Sequence, residues 1–129
     1  FLPNETELKF ITRSESLEEA VANIKPYLNA CVVKRGSKGS LLVLADGTVN
    51  EQPAFLNKEV VDAIGAGDSF NSGFISQFVK GKPLADCQRF GNLAGALNTT
   101  AAGGTGAFSS KEHLIEVARE KFNQDISWL

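Results

Sequence analysis

The 129-residue sequence is 43% hydrophobic and 22% charged with a formal net charge of -2, a balance that excludes a disordered chain and leaves no electrostatic footprint for nucleic acid or an anionic membrane surface. Its length is that of one ordinary domain, so one compact unit is expected. No apolar run reaches the roughly 20 residues of a membrane helix, no charged-then-apolar leader opens the chain, and Cys31 and Cys87 lack metal-ligand spacing, so the expectation is a cytoplasmic protein with two buried, reduced thiols.

The sequence contains no methionine and opens at Phe1, which predicts a portion of something longer. Asn4 can cap a short helix that places Glu7 at its third position, and Ser16 with Glu19 repeats that spacing ahead of Ala20, Val21 and Ile24. Pro26 ends the pattern. "ACVVK" (Ala30 to Lys34) reads as a strand buried on both faces, and "RGSKGS" after it as a turn. "SLLVL" and "TVNEQ" flank Asp46-Gly47, which predicts a hairpin with a type I′ turn. Val60 and Val61 look like the end of another strand, running into Gly65-Ala66-Gly67 and a helix start at Asp68. Phe70, Gly73, Phe74 and Phe78 follow helical spacing, closed by Gly81 and Pro83. A second helix is expected from about Leu84, with Phe90, Ala94, Leu97 and Ala101 along one face, Gly91 and Gly95 allowing close approach, and a stop at "AGGTGA". A third follows Ser109, whose spacing to Glu112 makes a capping box ahead of Leu114, Ile115, Ala118 and Phe122. Strands followed by helices predict an α/β fold in layers around a mostly parallel sheet.

The stretch "VVDAIGAGDSF" carries the chemistry. Small residues at Gly65, Ala66 and Gly67 let the backbone bend tightly and bring consecutive amides toward a ligand. Amides in the first turn of a helix are unpaired, and the helix dipole adds partial positive charge, so the turn suits a phosphate. Asp68 would repel that phosphate unless its task is to take a proton from a hydroxyl attacking the terminal phosphorus. The alternative on spacing alone is that Asp68 caps its helix and the glycines make a tight connection. "RGSKGS" lacks the Gly-Lys-Ser/Thr of a Walker loop, and "GGTGAF" is not GxGxxG. His113 is expected to face solvent and Trp128 to pack on an apolar surface.

"DAIGAGDSFNSGFI" resembles the C-terminal signature of the ribokinase (PfkB) family of sugar kinases. The resemblance runs the length of the chain and implies a ribokinase-like, Rossmann-like α/β/α fold, of which residues 1–129 form the C-terminal nucleotide-binding and catalytic portion. The N-terminal sugar-binding and lid portion is absent from it. It implies an ATP-dependent carbohydrate kinase with Asp68 as base and the amides of Gly65, Ala66, Gly67 and Asp68 as the phosphoryl cradle. "PNETEL" is similar to the family's Asn-x-x-Glu segment, in which Asn4 and Glu7 organise hydrated magnesium and the nucleotide phosphates; helix capping explains the same spacing. "KRGSKGS" implies Lys34, Gly36, Ser37 and Gly39 along the nucleotide, and "RFGNLAGALNTT" implies Asn92 at the edge of the adenine pocket. Many members bind a monovalent cation. Asp62 and the carbonyl of Ile64 match its first ligands, and carbonyls near Asn98 and Gly106 would complete a shell suited to potassium; turn initiation is the other reading of Asp62.

The implied ligands are therefore ATP, magnesium, potassium and a small sugar, with neither nucleic acid nor membrane as partner and a homodimer of the full-length parent in view. Ala63 departs from the family's usual hydroxyl residue or proline. Without the sugar-binding portion, the isolated chain is expected to have negligible activity. A nucleoside or 2-keto-3-deoxy sugar-acid kinase is the alternative within the enzymes, and a non-catalytic nucleotide-binding regulatory module the alternative outside them.

Overall fold

A computed structural model describes all of residues 1–129. The chain divides into two compact units, Phe1–Pro53 and Ala54–Leu129, where length alone predicted one.

The first unit begins with α1 (Glu5–Thr12) and α2 (Leu17–Ile24). Asn4 caps α1 in a reciprocal box: Glu7 N–H donates to Asn4 Oδ1 at 2.8 Å, and Asn4 N–H to Glu7 Oε2 at 2.9 Å. Arg13 closes the helix in the left-handed region at φ 53°. Ser16 caps α2, accepting from Glu19 N–H, and Pro26 lies in a 3₁₀ turn that follows it. The three strands are β1 (Ala30–Lys34), β2 (Ser40–Leu44) and β3 (Val49–Gln52), hydrogen-bonded in that order and antiparallel throughout. This departs from the mostly parallel sheet expected. The links between these strands are too short for a crossover and permit only hairpins. Parallel pairing occurs at the other edge of β1, where Val32 N–H donates to the Phe1 carbonyl at 2.8 Å and Lys34 N–H to the Pro3 carbonyl at 2.9 Å. There α1 and α2 supply the length for a crossover.

The β2–β3 hairpin forms at the predicted place with a different turn. Gly47 carries positive φ (93°) while Asp46 does not, and Gly47 N–H donates to the Leu44 carbonyl at 3.0 Å. This is a three-residue loop ending in a left-handed glycine rather than type I′. Leu8, Ala20, Cys31 and Val33, all fully buried, form the core of the unit, with Leu17, Val21, Ile24, Leu28 and Leu41 packed on them. Burial pushes the Cys31 thiol up to about 11, consistent with a packing role.

The second unit contains α3 (Ala66–Phe78), α4 (Leu84–Asn98) and α5 (Lys111–Phe122). Val60 and Val61 are not the end of a strand: no partner strand exists in the unit, both side chains are exposed, and Val61 N–H is bonded to the Thr99 carbonyl at 2.9 Å. β-branching without cross-strand neighbours does not make a strand. α4 stops at Asn98, leaving Ala101 beyond it, and α5 is capped by Ser110 accepting from His113 N–H, one residue later than predicted. α4 and α5 enclose a core of Leu93, Ala96, Leu97, Val117, Ala118, Phe122 and Ile126. α3 lies very close to α4. A Cβ on Gly73 would fall 2.6 Å from that of Ala94, and one on Gly91 would fall 3.0 Å from the Phe70 ring. Gly91 and Gly95 were read as allowing close approach, and they do so: a Cβ on Gly95 would fall 3.2 Å from the Ala66 carbonyl oxygen.

Candidate functional site

The turn into α3 is built by backbone geometry that only glycine accepts readily. Gly65 sits at φ 80°, ψ 1°, the left-handed cap of the helix. Ser69 N–H makes the first helical bond, to the Gly65 carbonyl at 2.9 Å, and Ala66 N–H reaches the Ala63 carbonyl at 3.3 Å. The amides of Gly65, Gly67 and Asp68 have no acceptor within the protein. The Asp68 carboxylate stands beside them in the first turn of α3 and is exposed. Unpaired N–H groups at the positive end of a 13-residue helix present partial positive charge of the kind that suits an anion.

Three side chains fix this turn. Asp62 accepts from Ile64 N–H at 2.9 Å through Oδ1 and from Gly103 N–H at 3.1 Å through Oδ2. Those two backbone donors hold its carboxyl below the usual carboxylate range, outweighing a small opposing desolvation. Asn98, 1% exposed at the end of α4, donates from Nδ2 to the Ile64 carbonyl at 2.7 Å and accepts at Oδ1 from the Ser69 hydroxyl at 3.0 Å. Gly104 packs under the turn, its Cα 3.2 Å from where a Gly65 Cβ would be.

Of the predicted residues in this unit, Asp62, Ile64, Gly65, Ala66, Gly67, Asp68 and Asn98 are brought together at this turn. Asn92 lies further back in α4, buried and engaged within the protein rather than open. Gly106, itself exposed, begins a 3₁₀ turn whose middle residue, Ala107, is buried. Sequence reasoning named Asn98 for carbonyls near it and missed the bonds of its carboxamide, the Ser69 hydroxyl and the Gly103 amide. The signals were present: a carboxamide at the end of an apolar helix face and a glycine pair at 103–104. Neither reveals its partner in the linear chain.

In the first unit the remaining predicted residues also converge. Asn4 pairs with Lys34 in a parallel bridge, which sets the capping box at the end of β1. Gly36 and Gly39 shape the following turn at φ 57° and 86°, with Ser37 exposed between them. Arg35 spans Glu5 and Glu51, each at 3.4 Å.

A cavity of about 460 Å³ in the second unit lies around the far end of α3, lined by Phe55, Lys80, Arg89, Phe90 and Trp128 among others, and contains none of the predicted residues. Trp128 packs on Phe90 at 5.2 Å and remains half exposed. His113 faces solvent, as expected.

Comparison with known proteins adds a family. Residues 1–111 match the pfkB family carbohydrate kinase domain. A protein of Archaeoglobus fulgidus described as an uncharacterized sugar kinase is 35% identical over 96 residues, covering 74% of this chain and 38% of its own. The cytidine kinase of Thermococcus kodakarensis is 38% identical over 92 residues, covering 69% of this chain and 32% of its own. The solved structure of Arabidopsis thaliana ribokinase, complexed with ribose and ATP, superposes with a TM-score of 0.78 at 32% identity, over 90% of this chain and 39% of that one. The α/β fold is ribokinase-like, and the chain spans about a third of the length of the curated relatives it matches.

Proposed function

Because the chain belongs to the pfkB family of carbohydrate kinases, we propose that it supplies the phosphoryl-transfer portion of an ATP-dependent kinase acting on a sugar hydroxyl. The observation that carries this reading is the set of unoccupied amides at Gly65, Gly67 and Asp68 with an exposed carboxylate beside them. A module that only bound nucleotide would gain nothing from an acid facing phosphate, since like charge weakens the ligand's hold. A base placed there has a use.

In this mechanism the acceptor hydroxyl oxygen forms a bond to the terminal phosphorus of ATP, its proton passes to Asp68, and the bond from that phosphorus to the bridging oxygen breaks to release ADP. The amides of Gly65, Gly67 and Asp68 hold the charge on the transferring group. They are already oriented, so no reorganisation is needed during transfer. The capping box engages Asn4 Oδ1 and Glu7 Oε2, so Glu7 Oε1 would accept from a water of a hydrated magnesium ion and Asn4 Nδ2 would donate to a phosphate oxygen of the nucleotide. When bound, that ion would neutralise phosphate charge. Lys34, Gly36, Ser37 and Gly39 are assigned to the nucleotide in the same proposal; Asn92, buried and already engaged, is not.

A small sugar is the first acceptor class; a nucleoside is the second, favoured by the identity to the Thermococcus cytidine kinase. Acceptor selection belongs to the part of the relatives that this third does not match, so the isolated chain is expected to turn over negligibly. The test is Asp68→Asn in a protein carrying this chain together with an acceptor-binding portion. Turnover should fall about 10² to 10⁴-fold while ATP affinity, measured by calorimetry, stays near that of the unsubstituted protein. Undiminished turnover would remove the mechanism, and a panel of sugars and nucleosides separates the acceptor classes.

A further inference from the structure

We propose that the recess around the far end of α3 is a second ligand site, one that takes a planar aromatic acid. The inference goes beyond the kinase reading and rests on residues which that reading does not use.

The recess encloses about 460 Å³, within the range of small-molecule pockets. Its apolar wall carries Phe55, Phe90 and Trp128, the last two with ring centroids 5.2 Å apart. An indole left 53% exposed beside a cavity is apolar surface that a ligand ring can cover. Lys80, Lys82 and Arg89 line the same recess. None of the three is ion-paired: the protein's ion pairs join Glu5 to Lys9 and Arg35, and Arg35 to Glu51.

The placement of charge selects an anion over a cation. Lys80 Nζ stands 5.8 Å from the centre of the Trp128 ring and the Arg89 guanidinium 5.7 Å from that of Phe55, so two of the three rings already carry a cation. A cationic ligand would meet like charge there. Arg89 is tethered, its Nη2 donating to Gln124 Oε1 at 2.7 Å, which fixes a planar cation in the wall. Two acids also line the recess, and neither pairs with these cations. Asp125 accepts from Ser127 N–H at 2.9 Å through Oδ1, and Asp86 lies in the first turn of α4, where the helix dipole offsets its charge. A carboxylate at this rim meets cations while its ring system meets rings. The 13 residues of α3 set about 20 Å between this end of the helix and the glycine turn at the other, so an acid bound here does not touch that turn.

The test is a titration of the isotope-labelled protein with indole-2-carboxylate, followed in a proton–nitrogen correlation spectrum. Trp128, the one tryptophan in residues 1–129, gives the one indole N–H peak. That peak should move saturably with a Kd of about 1 mM or tighter, and neutral indole and cationic tryptamine should bind at least about tenfold more weakly. Lys80→Gln/Lys82→Gln removes two exposed charges and leaves the rings in place. It should weaken the carboxylate about tenfold and leave indole unaffected. No saturable movement up to about 10 mM, tryptamine binding as tightly as the carboxylate, or an unchanged Kd in the double variant overturns the proposal. So does movement of the Gly67 and Asp68 amide peaks in place of the Trp128 peak, which would put the acid at the glycine turn. Binding is read without nucleotide or turnover, so the outcome is independent of whether Asp68 acts as a base.

Discussion

At Gly65 two requirements coincide: a left-handed backbone at φ 80° and a neighbour, Gly104 Cα, 3.2 Å from any Cβ. An L side chain in that region costs about 1 to 2 kcal/mol even in open space. Gly65→Ala should therefore lose at least that much in urea unfolding, while Gly36→Ala, at φ 57° with nothing within 4 Å, loses less. Equal stabilities would mean that the contact with Gly104 is not made.

Asp62 gives the same turn a pH signature. Its carboxyl is held low by Ile64 N–H and then Gly103 N–H, so its folded pKa lies below the unfolded value of about 3.9. That contribution is fully present above the unfolded pKa and disappears as pH falls through the folded one. Asp62→Asn should lower Tm at neutral pH and flatten its fall between about pH 5 and pH 2. An acid limb as steep as that of the unsubstituted protein would show that the carboxylate is not engaged.

Between the elements, the contact of α3 with α4 is close enough to require glycine. Gly73→Ala should stabilise by helix propensity alone, by about 1 kcal/mol. The new Cβ, however, would lie 2.6 Å from Ala94 Cβ and 3.1 Å from the Phe90 carbonyl, and overpacking of that kind costs about 1 to 3 kcal/mol. The expected sign is destabilisation, with partial recovery in Gly73→Ala/Ala94→Gly, read from denaturant midpoints. A stabilised Gly73→Ala would place the helices further apart than described. The helices themselves were legible because capping residues and apolar spacing act over three or four positions, as at Asn4 with Glu7 and Ser16 with Glu19. α5 slipped by one because Ser109 and Ser110 are adjacent candidates, and the choice falls to whichever faces the His113 amide. The Val60-Val61 strand failed because a strand is defined by its neighbours.

Over the whole molecule, the division into Phe1–Pro53 and Ala54–Leu129 was invisible to length and composition. Family membership, by contrast, was legible from "DAIGAGDSFNSGFI" and the segments around it, and residues 1–111 match that family. The glycine turn into α3 was also readable: glycines before a helix start fix both backbone shape and unpaired amides locally. By itself, then, the sequence determined the helices, the hairpin position, the family and the place of the glycine turn before α3, all of which depend on neighbours a few positions apart. Only the tertiary structure decided the antiparallel sheet, the close approach of α3 to α4, and the partners of Asn98. Each depends on residues tens of positions apart, as Asn98 is from Ile64, and a pattern in the linear chain does not say which distant carbonyl a buried amide will meet.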